Sequence, residues 1–187
     1  MSSTNDNSLT KNYRGKFGNQ LVYRNRGGVS IMAKLPRKSQ KPAGEAQLAQ
    51  RRKFKMASRW AKQILLDPVM LAEYTMRADG LKSPYNLAIT NYLRPPEIQE
   101  INIMEYNGEA GSKIKVVAVD DFKITGVTVK ITDAAGSLIE QGPCYEDLSA
   151  DCWVYIANVA ITDLSGVVIR AEATDTPCHT TSLEITL

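Results

Sequence analysis

Hydrophobic and cationic side chains recur along residues 43–66 with the period of an α-helix. At 100° per residue, the apolar positions fall on one side of the segment: Phe54, Ala57, Trp60, Ala61, Ile64 and Leu65. The other side carries a cationic stripe with 3-4-3 spacing, formed by Arg52, Lys55, Arg59 and Lys62. The pattern predicts a helix over residues 46–66. Its apolar side should pack on its own domain, and its cationic side should face an acidic partner.

The rest of the first half contains signals for a hairpin and two more helices. Two short strands, Phe17–Tyr23 and Val29–Ala33, are predicted on either side of a glycine-containing turn at residues 25–28. The pairs Asp67-Pro68 and Ser83-Pro84 each place a capping residue before a proline suited to the first helical position. They predict helices over about 68–78 and 84–93.

From residue 97 onward the pattern changes to a period of two, which is typical of strands with one solvated face. Val127, Val129 and Ile131, for example, alternate with polar residues. Seven short strands are predicted, at residues 98–103, 113–119, 124–132, 137–141, 152–157, 167–173 and 181–187. This density of strands indicates an immunoglobulin-like β-sandwich, with Trp153 as a core anchor. The predicted fold class is α+β in two domains, a small helical module with a hairpin followed by an all-β sandwich.

Charge divides the chain near the same point. Residues 1–95 contain 18 Lys and Arg against 5 Asp and Glu, whereas residues 96–187 contain 5 against 15, which makes +13 and −10. We therefore predict a flexible arm at residues 1–14, a basic module at 15–95 and an acidic sandwich at 96–187. This separation of charge indicates either a nucleic acid at the basic half or charge-complementary packing between subunits.

The second half resembles bacterial immunoglobulin-like domains with the pattern A-x-D-x-φ-x-V-x-x-V-x-V-x-I-x-x-x-x-G, where φ is apolar. The resemblance lies in three stretches: VVAVDDFKITGVTVKITDAAGSLIEQG, CWVYIA and VVIRAEATDTPCHTT. Domains of this kind usually carry a later A-x-D-x-P-G-N loop. Here Thr176-Pro177-Cys178-His179 replaces its glycine and asparagine, so the typical turn or ligand of that loop is expected to be lost.

The first half resembles other bacterial sequences. Its opening, which includes GKFGNQLVYR, is similar to the G-x-x-G-N-x-V-x-Y-R opening of uncharacterised proteins found largely in Bacteroidetes-type bacteria. Helical modules encoded among bacteriophage-like structural genes are similar to QLAQRRKFKMASRWAKQIL and SPYNLAITNYL. These resemblances imply an architecture, and they imply little about activity because a fold does not determine a function.

Catalytic chemistry has little support in the sequence. The single histidine, His179, lies beside Cys178, and adjacent residues on an extended chain point to opposite sides, which does not suit a Cys–His dyad. The P-loop, GxGxxG, HExxH and GxSxG motifs are absent from the chain. We predict a protein that is not an enzyme.

Three cysteines and the N-terminal segment bear on the cellular compartment. Cys144, Cys152 and Cys178 lack CxxC spacing, so reduced thiols are predicted, with a Cys144–Cys152 link across a hairpin as the alternative. The first 16 residues have no apolar core of a signal peptide, and no run reaches the length of a membrane span. Cytoplasmic synthesis is therefore expected, with association with a particle or non-classical release left open.

Two candidate binding sites emerge from these patterns. The first is a cationic footprint for phosphates or an acidic protein surface: Arg24, Arg26, Arg37, Lys38, Lys41, Arg51, Arg52, Lys55, Arg59 and Lys62. The second is a Ca²⁺ site at one end of the sandwich, where loop carboxylates are expected to converge: Asp120, Asp121 and Asp175. The alternatives are a solvated helix face for the first set and ordinary Asp turns for the second.

The sequence as a whole favours a protein that binds over one that catalyses. We expect a structural subunit of a multimeric particle or filament, of phage-like type, that docks through its basic module on neighbouring copies. The alternative is a nucleic-acid-binding protein that contacts phosphates through the helix at 46–66. Apart from the Ca²⁺ ion considered above, no cofactor is expected.

Overall fold

A computed structural model describes residues 14–26, 29–36, 41–79 and 82–187, with the side chains of Arg26 and Val29 left undescribed. These residues form three α-helices and three antiparallel sheets, which confirms the mixed α+β class. Within them, no helix is both apolar and long enough to cross a membrane. The chain divides into two compact units, Met1–Ala88 and Ile89–Leu187. The sequence instead predicts a boundary at Pro95-Pro96. The predicted and observed boundaries therefore differ by a few residues, most of which form the second half of the third helix.

The first unit opens with a three-stranded sheet of order β1-β2-β3, made of β1 (Gly15–Phe17), β2 (Leu21–Arg26) and β3 (Val29–Lys34). The prediction of one continuous strand over Phe17–Tyr23 is wrong. A turn at residues 18–20 interrupts it, and Gly18 has a φ of +57°, which an extended strand cannot contain. None of the side chains described in this sheet is buried.

Three helices follow: α1 (Glu45–Ile64), α2 (Pro68–Arg77) and α3 (Pro84–Leu93). The residues predicted to cap the starts of α2 and α3 form capping hydrogen bonds. The Val69 amide donates to Asp67 Oδ1 at 2.9 Å, and the Asn86 amide donates to Ser83 Oγ at 3.3 Å. These contacts satisfy amides that the first turn of a helix leaves without carbonyl partners.

Helix α1 packs through its predicted apolar side except at the first residue of that side, Phe54. Ala57 and Ala61 are fully buried, and Ser58 Oγ lies 2.7 Å from the hydroxyl of Tyr85 on α3. Phe54, predicted to lie in the packed side, is 52% exposed. The reason is that every residue from 45 to 56 is exposed, so only the C-terminal part of α1 packs on the chain.

The second unit contains two four-stranded antiparallel sheets. One has the order β11-β10-β6-β7, and its strands are β6 (Ile124–Thr132), β7 (Leu138–Pro143), β10 (Val168–Asp175) and β11 (Thr180–Thr186). The other has the order β4-β5-β9-β8, and its strands are β4 (Glu97–Asn102), β5 (Lys113–Val119), β8 (Tyr145–Asp147) and β9 (Cys152–Ile156). The prediction of seven strands missed β8, which is three residues long and carries two carboxylates that disfavour a strand assignment.

Inward-facing residues of both sheets form one hydrophobic cluster. Val127, Val129 and Ile131 of β6 are buried and alternate with partly exposed residues, as predicted. Ile114 and Val116 of β5 join them from the other sheet. Trp153 packs against this cluster and remains partly exposed.

Candidate functional site

The exposed surface of α1 carries the strongest concentration of charge in the part of the chain that the structure describes. The helix has six cations against one carboxylate, Glu45. All six cations are exposed: Arg51, Arg52, Lys53, Lys55, Arg59 and Lys62. None of them forms a salt bridge with a described residue. Their charge is therefore not neutralised by the described part of the chain.

Apolar side chains lie within the same surface. Leu48 and Met56 are 41% and 56% exposed, and both are four residues from Arg52, one on each side. Residues four apart are neighbours on a helix, so these apolar groups lie among the cations. We call this set the α1 face and define it as Leu48, Arg52, Lys55, Met56, Arg59 and Lys62.

Sequence reasoning found the cations of the α1 face and missed its apolar members. The run Arg51-Arg52-Lys53 was a signal that this part of the helix is exposed. Three consecutive residues span about 200° of the helix circumference, so three consecutive cations leave little of it for a packed apolar side. Five other predicted cations lie outside α1. Arg24 is exposed on β2, Lys41 is exposed ahead of α1, and Arg37, Lys38 and the side chain of Arg26 lie outside the described residues.

The three carboxylates predicted to bind Ca²⁺ are each engaged by protein groups. Asp120 Oδ2 accepts hydrogen bonds from the Phe122 and Lys123 amides at 3.0 and 2.8 Å. Asp121 Oδ2 lies 2.8 Å from Nη1 of the Arg94 guanidinium. Among the described residues, no three His, Cys, Asp or Glu side chains lie together as a metal-binding group. The structure therefore favours the alternative of ordinary Asp turns for the first of these residues.

Asp175 is fully buried and pairs with His179. Its Oδ1 accepts a hydrogen bond from the His179 amide at 2.6 Å, and its Oδ2 lies 3.0 Å from His179 Nδ1. The imidazole also meets the ring of Tyr92 edge-on, with the centroids 4.9 Å apart. The neighbouring Cys178 is exposed and has a φ of +65°. Through these contacts His179 joins the turn between β10 and β11 to Tyr92 of the same unit.

A second buried carboxylate lies in the interior of the same unit. Glu140 Oε2 accepts hydrogen bonds from the Tyr155 hydroxyl at 3.0 Å and the Asn158 amide at 2.9 Å. Glu140 Oε1 and the Tyr106 hydroxyl are buried and have no hydrogen-bond partner in the described protein. Burial, together with the hydrogen bond to Glu140, raises the pKa of Tyr155 to about 12. Sequence reasoning missed this group, although Glu140 is in register with the buried Ile131.

The three thiols lie in different environments. All three cysteines are free: Cys152 is buried, Cys144 is half-buried and Cys178 is exposed. Burial raises the pKa of Cys144 to about 12. The predicted reduced state therefore matches the structure, and no Cys144–Cys152 link is present.

An acidic surface lies on the β8–β9 connection. It contains Glu146, Asp147 and Asp151 together with two exposed apolar side chains, Tyr145 at 48% and Leu148 at 83% exposure. We call residues 145–151 the acidic hairpin. The sequence pattern did not reveal this surface because β8 was not predicted.

Comparisons with known proteins give little further guidance. No protein-family model matches the chain, and no curated protein matches it. A crystal structure of an engineered protein is similar over 58% of this chain and 30% of its own, with 13% sequence identity and a TM-score of 0.35. The chain thus spans less than a third of that protein's length, and the similarity is too low to support an argument about function.

Proposed function

We propose that this chain is a non-enzymatic structural subunit that assembles into a multimer through its first unit. The observation that carries the proposal is the helical segment at residues 45–56, in which every side chain is exposed. Helices of this length are marginal in water unless their apolar residues pack on something. Leu48, Phe54 and Met56 are available for such packing.

Other exposed apolar groups of the first unit support the same proposal. Val69 and Met76 of α2 are 65% and 86% exposed and are seven residues apart, so they lie on one side of the helix. Phe17 and Met32 in the three-stranded sheet are 70% and 60% exposed. Exposed large apolar side chains that are neighbours, as Val69 and Met76 are on α2, are typical of a protein interface.

The architecture of the second unit fits display on such an assembly. Its strand orders correspond to those of an immunoglobulin-like sandwich, with β4-β5-β9-β8 as strands A-B-E-D and β11-β10-β6-β7 as strands G-F-C with one added strand. We infer an immunoglobulin-like domain carried by a helical docking module. The phage-like character of the assembly rests on the resemblance of the first half alone and stays a prediction.

Light scattering coupled to size-exclusion chromatography tests the proposal. The full chain should elute as a multimer, and Val69→Thr with Met76→Gln should lower its mass because the variant removes apolar contact area. Met104→Gln is the matched control, since Met104 is 90% exposed and lies in the second unit. A strict monomer at both low and high salt would contradict the proposal.

A second function is nucleic-acid binding, and the one observation that favours it is the set of six exposed cations on α1. Arg52→Glu with Arg59→Glu should abolish a salt-sensitive gel shift, because each reversal removes a phosphate contact. Lys113→Glu with Lys123→Glu is the matched control on the second unit. Absence of any shift at about 50 mM salt, where counterion release favours binding, would remove this alternative.

A further inference from the structure

The acidic charge of the second unit is concentrated in one long stretch. No lysine or arginine occurs between Lys130 and Arg170, whereas six carboxylates do: Asp133, Glu140, Glu146, Asp147, Asp151 and Asp163. Glu140 is buried and so cannot contact a partner. Three of the remaining five lie within the acidic hairpin, which makes this hairpin the densest acidic feature of the stretch.

The acidic hairpin is held in a defined conformation. β8 pairs with β9 through Tyr145↔Val154, Glu146↔Trp153 and Asp147↔Cys152. Asp147 Oδ1 then accepts from both the amide and the hydroxyl of Ser149, at 3.0 and 2.6 Å. These hydrogen bonds, chiefly the one from the hydroxyl, lower the pKa of Asp147. The exposed Glu146, Leu148 and Asp151 are thereby presented on a structured turn.

The α1 face has the complementary composition. Its four cations surround two exposed apolar side chains, Leu48 and Met56, and the acidic hairpin places carboxylates around Tyr145 and Leu148. A phosphate backbone would leave Leu48 and Met56 without a partner, whereas an acidic protein segment with apolar side chains would cover them. This composition favours a protein partner over a nucleic acid.

We propose that the α1 face of one copy binds the acidic hairpin of a second copy. The inference rests on the proposed function, since it names one contact of the proposed multimer. The two surfaces are different patches of one chain, so the contact either forms twice across a two-fold axis, in a dimer, or repeats head-to-tail, in a ring or an open filament. Charge complementarity, with a +13 first half and a −10 second half, is the reason for choosing a second copy as the occupant.

Zero-length cross-linking tests the proposal on the full native chain. A carbodiimide joins a lysine amine to a carboxylate only where the two are in contact. We expect links from Lys55 or Lys62 to Glu146, Asp147 or Asp151. Mixing ¹⁴N-labelled and ¹⁵N-labelled chains identifies the intermolecular links by mass, and chymotrypsin is the suitable protease because the acidic stretch has no site for trypsin.

A charge-reversal pair gives a second readout. Glu146→Lys should weaken association about tenfold through loss of a contact in the centre of the interface. Glu97→Lys, which changes a carboxylate on β4 that is also exposed, should change association less than about twofold. Circular dichroism of both variants verifies that the sheets are intact.

The outcomes separate the two proposals. A multimer whose α1 lysines cross-link elsewhere, or that tolerates Glu146→Lys as well as Glu97→Lys, overturns the inference and leaves the proposed function standing. A strict monomer overturns both. Co-purification with nucleic acid that occupies the α1 face, seen as absorbance at 260 nm and loss of the cross-links, overturns the inference in favour of the nucleic-acid alternative.

Discussion

Two buried carboxylates show how differently a charged residue can be accommodated inside the same unit. Asp175 receives two hydrogen bonds from His179, one on each oxygen. Glu140 receives both of its hydrogen bonds on Oε2, and Oε1 has no partner in the described protein. A buried carboxylate depends on every donor it has, so the donors to Glu140 should matter more than an ordinary hydrogen bond.

We therefore predict that Tyr155→Phe lowers the free energy of unfolding by about 1–3 kcal/mol, because it removes a donor from a buried carboxylate. Tyr106→Phe is a matched control with the same chemical change. Its hydroxyl is buried without a partner in the described protein, so its removal should be neutral or stabilising. Urea denaturation of both variants measures the difference, and equal destabilisation by the two would show that the Tyr155–Glu140 contact contributes nothing.

At the scale of elements, loops of the second unit approach one another closely. The Ile161 amide donates to the Gly108 carbonyl at 2.7 Å. A Cβ at Gly108 would lie 2.7 Å from the Ile161 carbonyl oxygen, and the φ of Gly108 is +83°. Gly108 thus has a backbone conformation that is unfavourable for other residues, and it has no space for a side chain.

Gly108→Ala should cost more stability than Gly136→Ala. Gly136 has nearly the same φ, +82°, and no described atom lies within 4 Å of the position that a Cβ would occupy there, so its substitution should cost only the conformational penalty of about 1 kcal/mol. Gly108→Ala carries that penalty plus a clash with backbone, and we expect about 2–4 kcal/mol in total. Thermal unfolding of the two variants isolates the steric part, and similar midpoints would contradict the close approach.

Some secondary-structure elements could be predicted from the sequence pattern, and others could not. Alternation along β6 and the Asp-Pro and Ser-Pro starts of α2 and α3 were predictable because each depends on local geometry. The turn at residues 18–20, the three-residue β8 and the exposure of Phe54 were not. β8 forms because β9, which follows it after a short turn, supplies its hydrogen-bond partners, and its three residues are too few for a period-two pattern to show. Phe54 is exposed because no described element covers residues 45–56, which the periodicity of the helix itself does not reveal.

The two units of the whole molecule differ in how much of each is buried. Both four-stranded sheets contribute to one cluster that includes Ile114, Val116, Val129 and Ile131, all fully buried. The first unit has few buried residues among those described, with Ala57, Ala61, Tyr74 and Ala88 as its buried apolar set. Local stability follows buried contacts, so the two units should open at different rates.

Hydrogen exchange should resolve this difference. In dilute protein, amides of β6 and β10 should exchange slowest and amides of residues 45–56 should exchange within the earliest time points. At a concentration where the multimer forms, protection should rise at residues 45–56 because the partner covers them. Equal exchange of this segment at both concentrations would mean that assembly, if present, uses another surface.

An open filament built on the contact between the α1 face and the acidic hairpin would have a direction. In a row of copies, the first copy has an unoccupied basic helix and the last has an unoccupied acidic turn. A soluble polycation would block growth at one terminus, and a polyanion would block growth at the other. Elongation of an open filament would then be polar, and closure into a ring would remove both reactive termini at once.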